Sequence, residues 1–345
     1  LVFVGPTAET IRRGGDKVAA RELARNAGVP VGAGSATVRD ADAAAAIAES
    51  VGYPVLLKAA AGGGGRGMVR VDDAAELAGR FAVASNEAQA AFGDGRLYVE
   101  RFVGNARHVE IQLLADAHGS IVHLGDRDCS VQRRHQKVIE ESPSPGVSSD
   151  LRNKMGRASV KLAKSVGYHG AGTVEFLVQG KKFYFIEVNA RVQVEHPVSE
   201  LVAGIDLVKE QIRVAAGEPL GRKQGDIRLR GHSIECRLTA EDPDNNFAPS
   251  PGKVTRYVPA GGPGVRIDSH LEAGYNVPPH YDSLIGKLIV FGDDRTEAIR
   301  RMQRALDEYQ IEGIKTSIPL LRRILRNGYF VEGDYTTRFL DDLLS

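Results

Sequence analysis

Glu175, Glu187 and Asn189 are the residues of this sequence best spaced to do chemistry together. Glu187 and Asn189 stand two apart in the run Phe183 to Asn189, so a strand there carries both on one face. Gly172 to Val178 reads as a second strand, joined to the first through Gly180-Lys181-Lys182. With a three-residue turn closing a regular hairpin, Gln179 pairs with Phe183 and, counting back, Glu175 pairs with Glu187. Residues directly opposed across two strands hold their Cβ atoms about 4.5 to 5.5 Å apart. Two carboxylates that close, among Phe176, Phe185 and Ile186, repel each other. A hard divalent cation resolves the conflict by taking oxygen ligands from both acids and the amide. The alternative is one raised pKa and a shared proton.

The segment Arg191-Val192-Gln193-Val194-Glu195 follows at once. If extended, it lines Arg191, Gln193 and Glu195 along one face. A guanidinium, an amide and a carboxylate so arranged can orient a small oxyanion and remove its proton. The competing reading is a surface ion pair between Arg191 and Glu195. Earlier in the chain, Gly62-Gly63-Gly64-Gly65-Arg66-Gly67 lies between two strand-like runs. Without Cβ atoms, such a loop lets backbone N–H groups cradle phosphate oxygens. It has no Gly-Lys-Ser/Thr and a strand follows it, so it is neither a P-loop nor a dinucleotide turn. Lys58 ends the preceding strand and can reach the same phosphates as a point charge. Lys17, at a helix start, is a second cationic candidate. Arg133-Arg134-His135-Gln136-Lys137 is a dense basic run, yet Glu140-Glu141 follows, which favours a charge-balanced loop over a nucleic-acid patch. Cys129 is either a thiol near bound phosphates or a small buried core residue.

These residues need elements to hold them. Asp16 is a plausible N-cap for a helix in which Ala20, Leu23, Ala24 and Ala27 recur and Gly28 ends the run. A second helix is expected at about 41–51. Strands at 55–59, 68–71 and 97–101, with a helix at about 73–91, form a separate α+β unit over about 30–103. His108 to Ala115 and Ile121 to Gly125 read as a hairpin across Asp116 to Ser120, and a helix is expected from about 149 to 166. Gly217 to Gly225 is a connector. The rest, about 230–345, reads as short strands with Pro- and Gly-rich turns, then two helices. Leu1 to Val4 reads as the last buried strand of a unit whose partners precede it.

At 345 residues the chain can pack two or three domains. A formal net charge of +1 makes no global case for nucleic acid or membrane, and no apolar run reaches the roughly 18 residues that span a bilayer. Two cysteines are too few for a disulfide framework, so a cytoplasmic setting is expected.

Taken together, the chain resembles the biotin carboxylases of the ATP-grasp superfamily. The resemblance is carried by GDKVAAR (15–21), LLKAAAGGGGRGM (56–68), RHVEIQ (107–112), DRDCSVQRRHQKVIEESP (126–143), GAGTVEF (170–176), FIEVNARVQVEHPVSE (185–200), IECRLTAEDP (234–243) and YDSLIGKL (281–288), which occur in the family's order. It implies an α+β fold. Residues 17–218 become an ATP-grasp domain, with a mobile lid at about 30–103 and an antiparallel-sheet subdomain. Residues 230–345 become a biotin carboxylase C-terminal domain. Residues 1–16 become the remnant of an N-terminal lobe whose absence is expected to leave the isolated chain with little activity.

The resemblance also implies roles. Lys17, Lys58, Gly63, Gly64, Gly65 and Gly67 hold the ATP phosphates, and Glu100, Arg101 and Val103 belong to the hinge at the adenine. His108, Gln132 and His135 contact the ribose and phosphate side. Glu175 and Glu187 bind two Mg²⁺ or Mn²⁺ ions with Asn189 beside them. Arg191, Gln193, Val194 and Glu195 bind bicarbonate, with Glu195 the general base. Lys137 steadies carboxyphosphate and Arg237 the biotin enolate.

None of the three methionines, Met68, Met155 and Met302, is followed by Lys, as the usual biotinylation site requires, so biotin is expected on a separate carrier protein or domain. A carboxyltransferase partner and a homo-oligomer are implied too. The competing readings are another ATP-grasp ligase, such as a carbamoyl-phosphate synthetase half, and a non-catalytic nucleotide-binding protein with a role in assembly.

Overall fold

The computed structural model describes residues 1–61 and 67–345, so Gly63, Gly64 and Gly65 of the expected phosphate loop lie outside the described residues. Leu1 to Val4 do not form the expected strand. They are irregular chain exposed to solvent, because no strand among the described residues runs beside them to complete a ladder. Thr7 caps α1 (Ala8–Gly15) by accepting from Thr10 N. That helix buries only Thr10, so it has no apolar stripe to betray it in sequence. Asp16 caps α2 (Lys17–Asn26), accepting from Val18 N and Ala19 N as its position predicts.

A four-stranded antiparallel sheet follows, formed by β1 (Gly34–Val38), β2 (Val55–Ala59), β3 (Met68–Val71) and β4 (Leu97–Arg101) in the order β1-β4-β2-β3. Helices α3 (Ala41–Val51) and α4 (Ala74–Phe92) start at the caps Asp40 and Asp73. Val55, Leu57, Leu77, Phe81, Leu97 and Val99 make a core of their own for this unit.

The next strands are β5 (Arg107–Ala115), β6 (Ile121–Arg133), β7 (Gln136–Ser142), β8 (Gly170–Gln179) and β9 (Lys182–Asn189), with α5 (Ser149–Ser165) between β7 and β8. After α6 (His196–Ala203) and α7 (Leu207–Ala215) come β10 (His232–Thr239), β11 (Val265–Ser269) and β12 (Leu284–Gly292). All eight strands form one antiparallel sheet ordered β11-β12-β10-β7-β6-β5-β8-β9. The third segment therefore extends the second one's sheet across the β7–β10 seam. The chain closes with four helices where two were expected: α8 (Arg295–Glu308), α9 (Ile318–Arg326), α10 (Gly328–Glu332) and α11 (Phe339–Leu344).

Strand alternation gives the sheet two unlike faces. Val109, Ile111 and Leu113 pack with Leu151, Met155 and Leu162 of α5. Ile139, Ile234 and Cys236 pack with Met302, Leu321 and Phe330 of the closing helices. Glu110, Gln112, Arg127, Glu140, Glu175 and Glu235 fall between these apolar positions and are buried as well. α6 packs over β6, β7, β10 and β12, with Ser199 Oγ 3.1 Å from Arg127 Nη1.

Candidate active site

Glu175 does stand opposite Glu187, but by a different route from the regular hairpin. The turn holds two residues, Gly180 and Lys181, and Gln179 pairs with Lys182. A bulge between Glu175 and Phe176 then lets the register slip by one residue, which restores the acidic pair. Glu175 is buried and Glu187 is partly open. The Glu175 carboxylate accepts from Asn189 Nδ2 at 2.9 Å and Gln193 Nε2 at 3.1 Å, lies 2.9 Å from His108 Nε2, and has Lys137 Nζ at 3.3 Å. Burial alone would raise its pKa, but Lys137 and His108 outweigh it and hold the carboxyl well below the usual range. Those cations favour the ionised form of Glu175 over the shared-proton alternative. Glu187 is held loosely, with Lys17 Nζ at 3.8 Å and Asn189 Nδ2 at 3.5 Å.

Next to this pair, Lys137 Nζ sits among three carboxylates: Glu195 at 2.5 Å, Glu110 at 2.7 Å and Glu175 at 3.3 Å. Burial works against the ammonium, and the carboxylates outweigh it, so its pKa stands well above the ordinary lysine value. Glu195 in turn bridges two cations, since its second oxygen lies 3.0 Å from Arg237 Nη2. Burial and Glu110 push the Glu195 carboxyl up, yet Lys137 and Arg237 prevail and keep it below the usual value. Arg237 also donates from Nε to Glu140 at 2.6 Å. Glu195 is therefore a buried carboxylate clamped between a cation from β7 and one from β10.

The stretch 191–195 is not extended. It turns into α6, with Glu195 at the N-cap at φ −82° and ψ 7°. Gln193 and Glu195 point inward, while Arg191 stays exposed and donates to Asn189 Oδ1 at 3.3 Å. Glu195 accepts from Lys137 and Arg237 in place of the surface pair with Arg191. The Val194 carbonyl oxygen accepts from Lys287 Nζ at 2.9 Å, which ties this turn to β12.

In the smaller sheet, Lys58 is spoken for: its Nζ lies 2.5 Å from Glu100 Oε2, and Arg21 Nη1 meets the other oxygen at 2.6 Å. The Glu100 side chain is thus buried in ion pairs, while Arg101 is exposed and Val103 half-buried beyond it. Gly67 sits at φ +71°, where a Cβ would also come 2.8 Å from the Ala59 Cβ, so both conformation and space require glycine. Gln132 is buried and pairs with Lys137 across the β6–β7 hairpin, whose exposed tip carries Arg134 and His135 at φ 48° and 66°. Cys129 is fully buried, and burial pushes its thiol far up, which favours the small-core-residue reading.

Sequence reasoning missed the group that holds this layer together. Arg127 is fully buried, and its guanidinium meets Glu110 at 2.6 Å, Gln112 at 2.5 Å, Gln193 at 3.0 Å, Ser199 at 3.1 Å and Thr173 at 3.2 Å. Five donors find five partners on β5, β8, the turn into α6 and α6 itself. The signal was an arginine set between two acids in a strand-like run, Asp126-Arg127-Asp128, a concentration of charge that can be buried only when paired.

Two family models match the chain: the carbamoyl-phosphate synthase L chain ATP-binding domain over residues 16–223, and the biotin carboxylase C-terminal domain over residues 235–342. The biotin carboxylase of Nostoc sp. is 52% identical over 99% of this chain and 77% of its own length. The biotin carboxylase of Pseudomonas aeruginosa is 53% identical over 100% of this chain and 77% of its own. The biotin carboxylase domain dimer of Hydrogenobacter thermophilus 2-oxoglutarate carboxylase, solved with MgADP, ADP and bicarbonate, matches with a TM-score of 0.96 at 48% identity, covering 99% of this chain and 76% of that one. With two family models that between them take in most of the chain and relatives more than half identical to it over three quarters of their length, the chain belongs to the biotin carboxylase family of ATP-dependent ligases.

Proposed function

We propose that this sheet face activates bicarbonate with ATP and carboxylates biotin through carboxyphosphate. The observation that carries this reading is Glu195 held between Lys137 and Arg237, one cation facing the acidic pair and the other on the C-terminal half of the sheet. Ionised Glu195 takes the proton of bicarbonate, whose oxygen then attacks the γ-phosphorus of ATP. Gln193, Arg191 and the backbone at Val194 orient that anion, and Lys137 balances the carboxyphosphate that forms as ADP leaves. Carboxyphosphate breaks to CO₂ and phosphate. Phosphate takes the N1′ proton of biotin, Arg237 holds the resulting enolate, and the ureido nitrogen captures CO₂. The four-stranded unit at residues 34–101 serves as the lid that keeps water from the intermediate. Lys17, Lys58, Gly63, Gly64, Gly65 and Gly67 take the phosphates, Glu100 to Val103 the adenine side, and His108, Gln132 and His135 the ribose side.

The donors of Glu175, Glu187 and Asn189 are all oxygens suited to a hard cation, and Glu187 is only loosely paired, so the set fits Mg²⁺ or Mn²⁺. Two such ions, when bound, supply neutralisation of phosphoryl charge. We place biotin on a separate carrier protein or domain, with a carboxyltransferase as the next partner. The chain is read as a cytoplasmic homo-oligomer, a reading supported by its two free, buried cysteines and by the dimer of the Hydrogenobacter relative. No helix among the described residues is long and apolar enough to cross a membrane.

Two variants test the division of labour. Lys137→Gln is expected to cut bicarbonate-dependent ATP cleavage by roughly 10²-fold. Arg237→Gln is expected to impair biotin carboxylation far more than that cleavage. Equal losses of both activities in both variants would contradict it, and phosphate release indifferent to biotin would point to a different ATP-dependent ligase.

A further inference from the structure

Glu140 on β7 and Glu235 on β10 stand directly opposite each other, and neither side chain reaches solvent. Their strand positions set the Cβ atoms about 4.5 to 5.5 Å apart. Glu140 commits Oε1 to Arg237, but its Oε2 and both oxygens of Glu235 have no hydrogen-bond partner among the described residues. Three buried carboxylate oxygens without a protein partner cannot all share two full negative charges, because an unpaired buried charge costs several kcal/mol or more.

The surroundings offer little relief. The charged groups facing Glu235 are Glu140 from β7, Arg237 on its own strand, Lys287 from β12 and Glu195 at the start of α6. Lys287 is engaged by the Val194 carbonyl at 2.9 Å and by Asp268 at 3.3 Å. Arg237 is engaged by Glu140 and Glu195. The other titratable groups of α6 turn elsewhere: His196 lies 3.9 Å from Glu200, and Glu200 accepts from Arg266 at 2.7 Å.

We propose that Glu235 is a positioning residue for Arg237 that works in its protonated form. One proton held by the Glu140–Glu235 pair leaves the guanidinium facing two carboxylates instead of three. The guanidinium then stays in place against Glu195 and keeps enough field to hold an anionic substrate. Burial raises both carboxyls above their ordinary range, and the Glu140 charge adds to the rise at Glu235. The inference rests on the reading that Arg237 faces the biotin enolate.

A carboxyl that carries its proton into the fold costs stability, because the unfolded chain would release that proton. The cost grows as pH rises from the unfolded value of about 4.5 toward the folded one. Thermal unfolding of Glu235→Gln beside the unsubstituted enzyme reads this directly. The Tm advantage of the variant is expected to widen by several degrees between about pH 5 and about pH 8. Glu235→Leu, also neutral, is expected to follow the same trend should the amide disturb packing. In kinetics, Glu235→Gln is expected to carry biotin-dependent turnover further into the alkaline range. Bicarbonate-dependent ATP cleavage without biotin keeps its alkaline limb. A Tm difference that stays flat or shrinks with rising pH overturns the protonation. A widening Tm difference with an unmoved biotin limb overturns the positioning role. Absence of biotin-dependent turnover in the unsubstituted enzyme contradicts the functional reading instead, and the Tm comparison stands apart from it.

Discussion

Glu187 and Glu175 face each other, yet their burdens differ. Glu175 already has Lys137 and His108 on its charge, whereas Glu187 has, among the described residues, a lysine at 3.8 Å and an amide at 3.5 Å. The sequence led to a mutual repulsion that metal must relieve. The structure reduces that repulsion, because protein cations stand beside Glu175. Glu187→Gln is therefore expected to leave metal-free stability within about 0.5 kcal/mol of the parent. The same change is expected to cut metal-dependent ATP turnover severely and to blunt the rise of Tm with Mg-ATP. Calorimetry with and without Mg-ATP checks both parts, and a large metal-free loss would mean that Glu187 has a structural partner. Spacing and resemblance named the residues expected at a ligand. They did not name roles for Arg127, Glu110 and Lys287, whose partners are other protein groups that converge only once strands far apart in sequence are paired.

The hairpin β8–β9 gave a right pairing from a wrong count. A two-residue turn and a one-residue bulge offset each other, and neither leaves a mark in the alternation of Gly172 to Asn189. The cap at Asp16 was readable, since it precedes a helical run and accepts from its first N–H groups, whereas Asp40 and Asp73, which cap α3 and α4 in the same way, were not named from sequence. The seam between β7 and β10 was invisible because three helices, two strands and a connector separate the two in sequence. That seam is pinned by Glu141, which lies 2.6 Å from His232 Nε2, accepts from Arg295 at 2.7 and 3.0 Å, and accepts from the Tyr335 hydroxyl. Burial alone would raise the Glu141 carboxyl, but His232 and Arg295 hold it at about 2. Its contribution is full above the unfolded value of about 4.5 and is lost as pH falls toward 2. Glu141→Ala is expected to cost about 3 to 5 kcal/mol near neutral pH, and less as the medium is acidified. Urea unfolding at several pH values measures this, and a cost independent of pH would show that packing carries the effect.

The eight-stranded sheet is the feature of the whole molecule that joins its chemistry. Glu175 and Glu187 come from one end of it, Lys137 from the middle, and Arg237 and Lys287 from strands beyond residue 230. In sequence, Gly217 to Gly225 reads as a connector between these segments, and the two family models meet between residues 223 and 235. The paired strands unite them, so the proposed bicarbonate and biotin ends of the site share one rigid surface. The opening residues Leu1 to Val4, read as a buried strand from their apolar character, lie exposed, since apolar character fixes no partner. The central claim is that a bicarbonate oxygen attacks ATP on this surface. Bicarbonate labelled with heavy oxygen tests it most directly, with mass analysis of the phosphate released during biotin carboxylation. Label carried from bicarbonate into phosphate, in step with carboxybiotin formed, is the predicted result. Phosphate that carries only solvent oxygen would mean that water attacks ATP, and would contradict the account.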